Sequence, residues 1–254
     1  MVPTRPSSVK EDPERPASTE RSGGWHDGPV ARSAESGPRG SASTTPLPPR
    51  LPTDLVPSPS VDLADDEEWV GVEVTGDFSN HSVEDADIRE SRLRRAQFTA
   101  TTLVRPGIAD VVLEECELSG TRFVDAALTR VTFRRCRMSG FDLALGRLRD
   151  VEFVECRLDG ANLRMIDAER VRFEGCELTE ADFYGAKATK VAFADCDLTG
   201  AEFSQATLAG ARFGGSRLTD VRGATALTGA TIDTAQIVPL ALGLFAALNI
   251  TVED

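Results

Sequence analysis

Residues 151–160 read VEFVECRLDG, residues 171–180 read VRFEGCELTE, and residues 191–200 read VAFADCDLTG. Stacked on one another, these stretches align a valine, a phenylalanine, a cysteine and a leucine in every row. The rows extend well beyond them. Cysteine recurs at Cys116, Cys136, Cys156, Cys176 and Cys196, phenylalanine at Phe133, Phe153, Phe173, Phe193 and Phe213, and valine at Val111, Val131, Val151, Val171 and Val191. A twenty-residue period held this strictly predicts a stacked solenoid, in which each repeat buries its apolar face only against its neighbours.

A finer period of five lies inside the twenty. Large apolar centres recur at Phe98, Leu103, Ile108, Leu113, Leu118, Phe123, Leu128 and Phe133, and the series continues to Leu218. The residue two before each centre is usually small or β-branched, as at Cys116, Thr121, Ala126 and Val131. Such a pattern fits neither the 3.6 period of a helix nor the simple alternation of a strand. Two inward residues in five, with a polar one between them, describe a short extended step followed by a turn. Four steps complete one coil.

The sequence here resembles the pentapeptide-repeat family. The best matches to the family pattern are Ala161-Asn162-Leu163, Ala181-Asp182-Phe183, Ala201-Glu202-Phe203 and Ala86-Asp87-Ile88, and the resemblance runs from about Phe78 to Leu218. It implies an all-β solenoid, a right-handed four-sided β-helix with twenty residues per coil. At the ~4.8 Å spacing of paired strands, seven coils would make a rod roughly 35 Å long.

Composition divides the chain. Twelve of the fourteen prolines fall in residues 1–60, with seven basic and seven acidic residues and no apolar run. That composition predicts a disordered tail over residues 1–66, a β-helix over 67–222 and a C-terminal cap over 223–254. The first 25 residues contain no apolar stretch suited to a signal peptide, and the run from Ile237 to Leu248 is too short to span a bilayer. A soluble, cytoplasmic protein is expected. The formal net charge is −13. Six acids and no base fall within residues 61–75, so much of the excess sits at one end of the repeats.

The cysteines invite three readings. A disulfide ladder conflicts with their odd number and parallel orientation. A metal site conflicts with a straight column on one wall, which cannot surround an ion. Packing as small apolar side chains is preferred. Among the departures from the pattern, Phe141 and Gly146 are expected to trade volume, as are Ile166 and Ala168, and Pro106-Gly107 is expected to distort a corner.

Both ends need covers. Trp69 with Val70, Val72 and Val74 is expected to cap the N-terminal end, preceded by Asp65, Asp66, Glu67 and Glu68 as a solubilising stretch or a docking motif. After Leu218 the fivefold phase slips by one at Arg222-Gly223-Ala224. A helix then follows from about Thr234, its expected N-cap, to Leu248. It is apolar all round, which predicts a lid on the last coil and a face available for homodimerisation.

No catalytic constellation is present. His26 and His81 are the only histidines and neither has a nucleophile arranged about it; no phosphate loop, cofactor motif or metal spacing occurs. The chain is expected to be non-catalytic, with no catalytic, cofactor-binding or metal residues. Two functions remain. One is a scaffold that binds an unknown protein partner. The other follows from the resemblance: some family members bind DNA gyrase and related type II topoisomerases by imitating DNA. Imitation requires a row of negative charge. One outward column reads Arg95, Glu115, Arg135, Glu155; a second reads Arg130, Asp150, Arg170, Lys190; a third reads Arg122, Asp142, Asn162, Asp182, Glu202. Their mixed signs favour the scaffold. Direct nucleic-acid binding and membrane association are not expected.

Overall fold

The computed structural model describes residues 44–58 and 63–251. Thirteen short strands form one parallel solenoid. They are β1 (Val56–Ser58), β2 (Glu68–Val70), β3 (Val72–Val74), β4 (Ser82–Glu84), β5 (Asp87–Arg89), β6 (Arg92–Arg94) and β7 (Thr102–Val104). After these come β8 (Gly107–Glu114), β9 (Arg122–Val124), β10 (Ala127–Arg134), β11 (Arg147–Val154), β12 (Asp167–Glu174) and β13 (Lys187–Ala194). The long wall runs β8-β10-β11-β12-β13, each strand parallel to the next. Val111 pairs with Val131, Val131 with Val151, Val151 with Val171 and Val171 with Val191, so the offset is twenty residues at every step. About seven coils stack in this way.

The turn between steps sets the fivefold period. Every fifth residue from Asn80 to Asp220 has positive φ, including bulky residues such as Leu145 (64°), Met165 (53°) and Arg170 (56°). A side chain in this left-handed region costs roughly 1–2 kcal/mol. The coil compensates by burying two side chains in each step. Phe133, Phe153, Phe173, Phe193 and Phe213 form an inner stack with neighbouring ring centroids 4.8–5.0 Å apart. Each buried ring contributes about 1.5–3 kcal/mol, and stacked aromatic pairs add roughly 0.5–1.5 kcal/mol.

The irregular positions are absorbed locally. The atoms nearest a Cβ built at Gly146 belong to Leu143, at 2.9–3.0 Å. Phe141 instead packs edge-on to Phe123, with centroids 5.0 Å apart. The volume vacated at Gly146 is thus taken by Leu143. Pro106 occupies an inward slot, and Gly107 keeps its register with Asp87 and Ala127. The expected corner distortion is absent there: the register holds, and the Pro106 carbonyl still accepts from Ala127 N–H at 3.3 Å.

The register changes only near the ends of the described solenoid. Trp69 pairs with Ile88 and Glu73 with Arg92, an offset of nineteen, while Asp77 pairs with Gln97 at twenty. At the far end Arg212 pairs with Thr231, again nineteen apart. That slip falls at Gly223, where φ is 70° and an added Cβ would lie 2.2 Å from Ser204 N. No side chain fits there. Trp69 covers the first coil, its ring 5.2 Å from Phe78. The acids before it join the coil: Asp65 accepts from Glu84 N–H at 2.9 Å, and Asp66 N–H donates to Glu84 O at 3.0 Å.

Residues 44–58 differ from expectation. Sequence composition placed them in a disordered tail, yet they lie along the solenoid as a strap. Leu47 N–H donates to Asp150 Oδ1 at 3.1 Å and Arg50 N–H to Asp110 Oδ1 at 2.9 Å. After a bend at Thr53-Asp54 the chain becomes β1, which pairs with β3 at the sheet edge. The prolines explain how so few contacts suffice, since fixed φ values leave the free segment less entropy to lose. The rest of the expected tail, residues 1–43 and 59–62, lies outside the described residues.

At the C-terminal end a 3₁₀ turn (Thr234–Gln236) leads into α1 (Ile237–Ala247). Its N-cap is Asp233 rather than Thr234. The Asp233 carboxylate accepts from Gly215 N–H at 2.6 Å, tying the turn to the last coil, while its own N–H donates to Gln236 Oε1 at 2.8 Å.

Candidate functional site

The cysteine column lies inside. All five thiols are free and buried. Each S–H points to a backbone carbonyl: Cys116 to Leu93 O at 3.4 Å, Cys136 to Leu113 O at 3.5 Å, Cys176 to Phe153 O at 3.4 Å. Burial of all five opposes formation of the thiolate. A thiol held protonated is a poor nucleophile and a poor ligand. On the neighbouring wall the corresponding inward slot carries hydroxyls, and beyond Ser216 an amide takes the cysteines' role. Thr101 and Thr121 donate to Phe78 O and Phe98 O at 2.6 and 2.5 Å. Gln236 donates to Phe213 O at 2.5 Å and to Ser216 O at 2.6 Å. The slip at Gly223 breaks the twenty-residue spacing before Gln236, so the repeat does not announce this rung.

Among the described residues, no three His, Cys, Asp or Glu side chains are grouped so as to hold a metal ion. His81 is exposed, its Nδ1 3.0 Å from Ser79 O, and His26 lies outside the described residues.

Outside, charge is paired along the columns. Arg135 meets Glu114 at 2.8 Å and Glu115 at 3.2 Å; Arg105 meets Asp85 at 2.7 Å; Arg157 meets Glu177 at 2.8 Å; Arg222 meets Glu202 at 2.9 Å. Exposed pairs of this kind contribute little stability, but they cancel one another's field. The column that reads as mostly basic from Arg130 onward has acids on the two rungs before it, Glu90 and Asp110. Arg130 grips Asp110 through Nε at 2.6 Å and Nη2 at 2.5 Å, and Arg170 grips Asp150 at 2.6 and 2.8 Å. Asp110 and Asp150 are 8% and 3% exposed, the two buried carboxylates of the described structure. The Arg130 guanidinium, with the Arg50 N–H, holds Asp110 below the usual carboxylate range. Arg170 and the Leu47 N–H do the same for Asp150.

A family model described as a pentapeptide repeat region matches residues 86–163 and 166–235, more than half of the chain. The chain belongs to the pentapeptide-repeat family. No curated protein matches it significantly. Among solved structures, it is similar to a trypsin-treated form of QnrB1, a plasmid-mediated fluoroquinolone resistance protein, at 22% identity and a TM-score of 0.38, over 76% of this chain and 100% of that one. HetL, a pentapeptide repeat protein involved in heterocyst differentiation regulation from the cyanobacterium Nostoc sp. strain PCC 7120, is 18% identical with a TM-score of 0.30, over 66% of this chain and 85% of that one.

Two groups of exposed apolar side chains stand out among the described residues of this pentapeptide-repeat protein. Leu145 and Met165, 59% and 49% exposed, stand at consecutive turns of one corner, beside Tyr184, over whose ring the Arg164 guanidinium sits at 4.2 Å. The other place is α1. Leu240 is buried against the last coil, and Gly243 lets the helix approach closely, since a Cβ there would lie 3.3 Å from Val221 O. On the other face Val238, Leu242 and Phe245 form an i, i+4, i+7 stripe, with Val238 74% and Leu242 67% exposed. Among the described residues, no helix is long and apolar enough to cross a membrane.

Proposed function

We propose that this pentapeptide-repeat protein is a non-catalytic scaffold that binds another protein, with α1 as a docking element. The observation that carries this reading is the Val238-Leu242-Phe245 stripe. An apolar helix face uncovered on a monomer marks an interaction site. A second copy is the partner proposed for it, because an isologous pairing would cover two such stripes at once. Light scattering at micromolar concentration tests this. A dimer that becomes a monomer in Val238→Asp/Leu242→Asp supports it, and a wild-type monomer sinks it. Five unpaired thiols support a reducing, cytoplasmic setting.

The alternative is imitation of DNA toward gyrase or another type II topoisomerase. The net charge of −13 favours it. Against it stands the pairing of acids with arginines along the columns, which leaves no continuous anionic row comparable with phosphates. Gyrase supercoiling unaffected by excess protein would remove this reading; inhibition or protection of gyrase would restore it ahead of the scaffold.

A further inference from the structure

The strap and the wall beneath it share a pitch. Within residues 44–58, partial burial recurs at Pro46, Pro49, Pro52, Leu55 and Ser58, every third residue, interrupted only by Leu51. Three is the period of a polyproline II helix, which four prolines in the seven residues 46–52 favour. The residue after each of the first two of these prolines donates its N–H to the wall: Leu47 to Asp150 and Arg50 to Asp110. Three residues of polyproline II advance about 9.3 Å at roughly 3.1 Å each. Asp110 and Asp150 are two coils apart, about 9.6 Å at roughly 4.8 Å per coil. The two lattices therefore coincide, and the intervening rung, Arg130, holds the Asp110 carboxylate in place.

From this match we propose that the Asp110–Asp150 wall is a recognition site for extended proline-rich peptides, and that residues 46–52 are its built-in ligand. The ligand rule is a proline every third residue, each of the first two followed by a residue with a free N–H, as in Pro46-Leu47-Pro48-Pro49-Arg50-Leu51-Pro52. A carboxylate aimed at a backbone N–H makes a charge-assisted bond, stronger than a neutral one. Both carboxylates are gripped by arginines of the wall itself, independently of the strap, so their orientation is preorganised. The strap itself is lightly held. Leu47 is 51% and Val56 64% exposed, and segments with few buried contacts open at low free energy. A proline-rich partner segment of the same register would therefore compete with it.

The inference deepens the scaffold reading and rests on it for the nature of the partner, but it concerns a different face from α1. The test uses the full chain with a protease site introduced within residues 59–62, folded and then nicked, and a fluorescent peptide of residues 44–58. The peptide is expected to replace the nicked segment. Peptides N-methylated at Leu47 or at Arg50, which lack only the N–H, are expected to bind at least tenfold more weakly. A peptide with its prolines moved by one position is expected to lose binding as well. These arms leave the folded wall untouched, so misfolding cannot imitate the result. Failure of the parent peptide to bind, or equal binding by the N-methylated forms, overturns the proposal. Dimers of the un-nicked chain that the peptide dissociates would overturn the assignment of the strap to its own wall. Dimers that the peptide leaves intact, but that the α1 substitutions break, bear only on the scaffold reading.

Discussion

The Gln236 side chain donates to the carbonyl of Phe213, 23 residues earlier, the same offset at which Cys136 donates to Leu113. The amide is a rung of the cysteine column in a different chemistry. Where stacking ends there is no further coil to satisfy the last carbonyls, and a longer side chain with two donors supplies the need. Its second bond, to Ser216 O at 2.6 Å, uses the other hydrogen.

Gln236→Leu keeps the approximate volume and deletes all three side-chain bonds, leaving the Phe213 and Ser216 carbonyls and the Asp233 N–H without this partner. It is expected to cost about 1–3 kcal/mol per carbonyl left unsatisfied. Urea unfolding should show this as a fall in midpoint. An unchanged midpoint would mean that water replaces the amide and that the end of the solenoid is open.

The thiols give a second expectation. Since all five are buried and their protons directed at carbonyls, an aromatic disulfide reagent should titrate none of them in the native protein and five after denaturation. Rapid native modification of even one thiol would contradict the packing of the column.

A third prediction concerns acid. The Asp110 and Asp150 carboxyls are depressed below their ordinary value by Arg130 and Arg170, aided by the N–H groups of Arg50 and Leu47. A folded-state value below the unfolded one adds stability that is complete above about pH 4–5, the upper edge of the ordinary carboxylate range, and is lost as pH falls through the folded value. The strap should therefore stay closed at neutral pH and loosen below about pH 4. Limited proteolysis within residues 44–58, with an acid-active protease, should accelerate over that interval. Cleavage independent of pH would show that the carboxylates do not hold the strap.

Two glycines separate strain from clash. Gly223→Ala must place a methyl 2.2 Å from Ser204 N at φ 70°, and should destabilise the last coil by about 3 kcal/mol or more. Gly120→Ala has φ 64° with nothing within 4 Å, and should cost only about 1 kcal/mol. Equal thermal shifts in the two variants would refute the close approach at Gly223.

Much of the core could be read from the chain because each inward slot recurs at a fixed distance: Cys156 announces Cys176, and Phe153 announces Phe173. The strap could not. Proline-rich composition carries the same signal whether a segment is free or bound, and its docking depends on a coincidence of pitch between Leu47-Arg50 and Asp150-Asp110, which are 103 and 60 residues apart in sequence. The basic look of the Arg130 column had a simpler cause. From Asp110 to Arg170 it alternates in sign, and Arg130 and Arg170 close on Asp110 and Asp150. The outward stripe of α1 was visible as an excess of apolar residues, but which of them face the last coil depended on the one-residue slip at Gly223.

That slip, with its counterpart near Gly76, bears on how the gene can vary. Between Asp77 and Arg212 the chain is parsed in fives, much as a ribosome parses a message in threes, so one inserted or deleted residue there would turn every later side chain inside out. Whole blocks of twenty should be gained or lost freely, lengthening or shortening the rod by about 4.8 Å each. Single-residue changes have a place only at the two margins, where the register already changes by one.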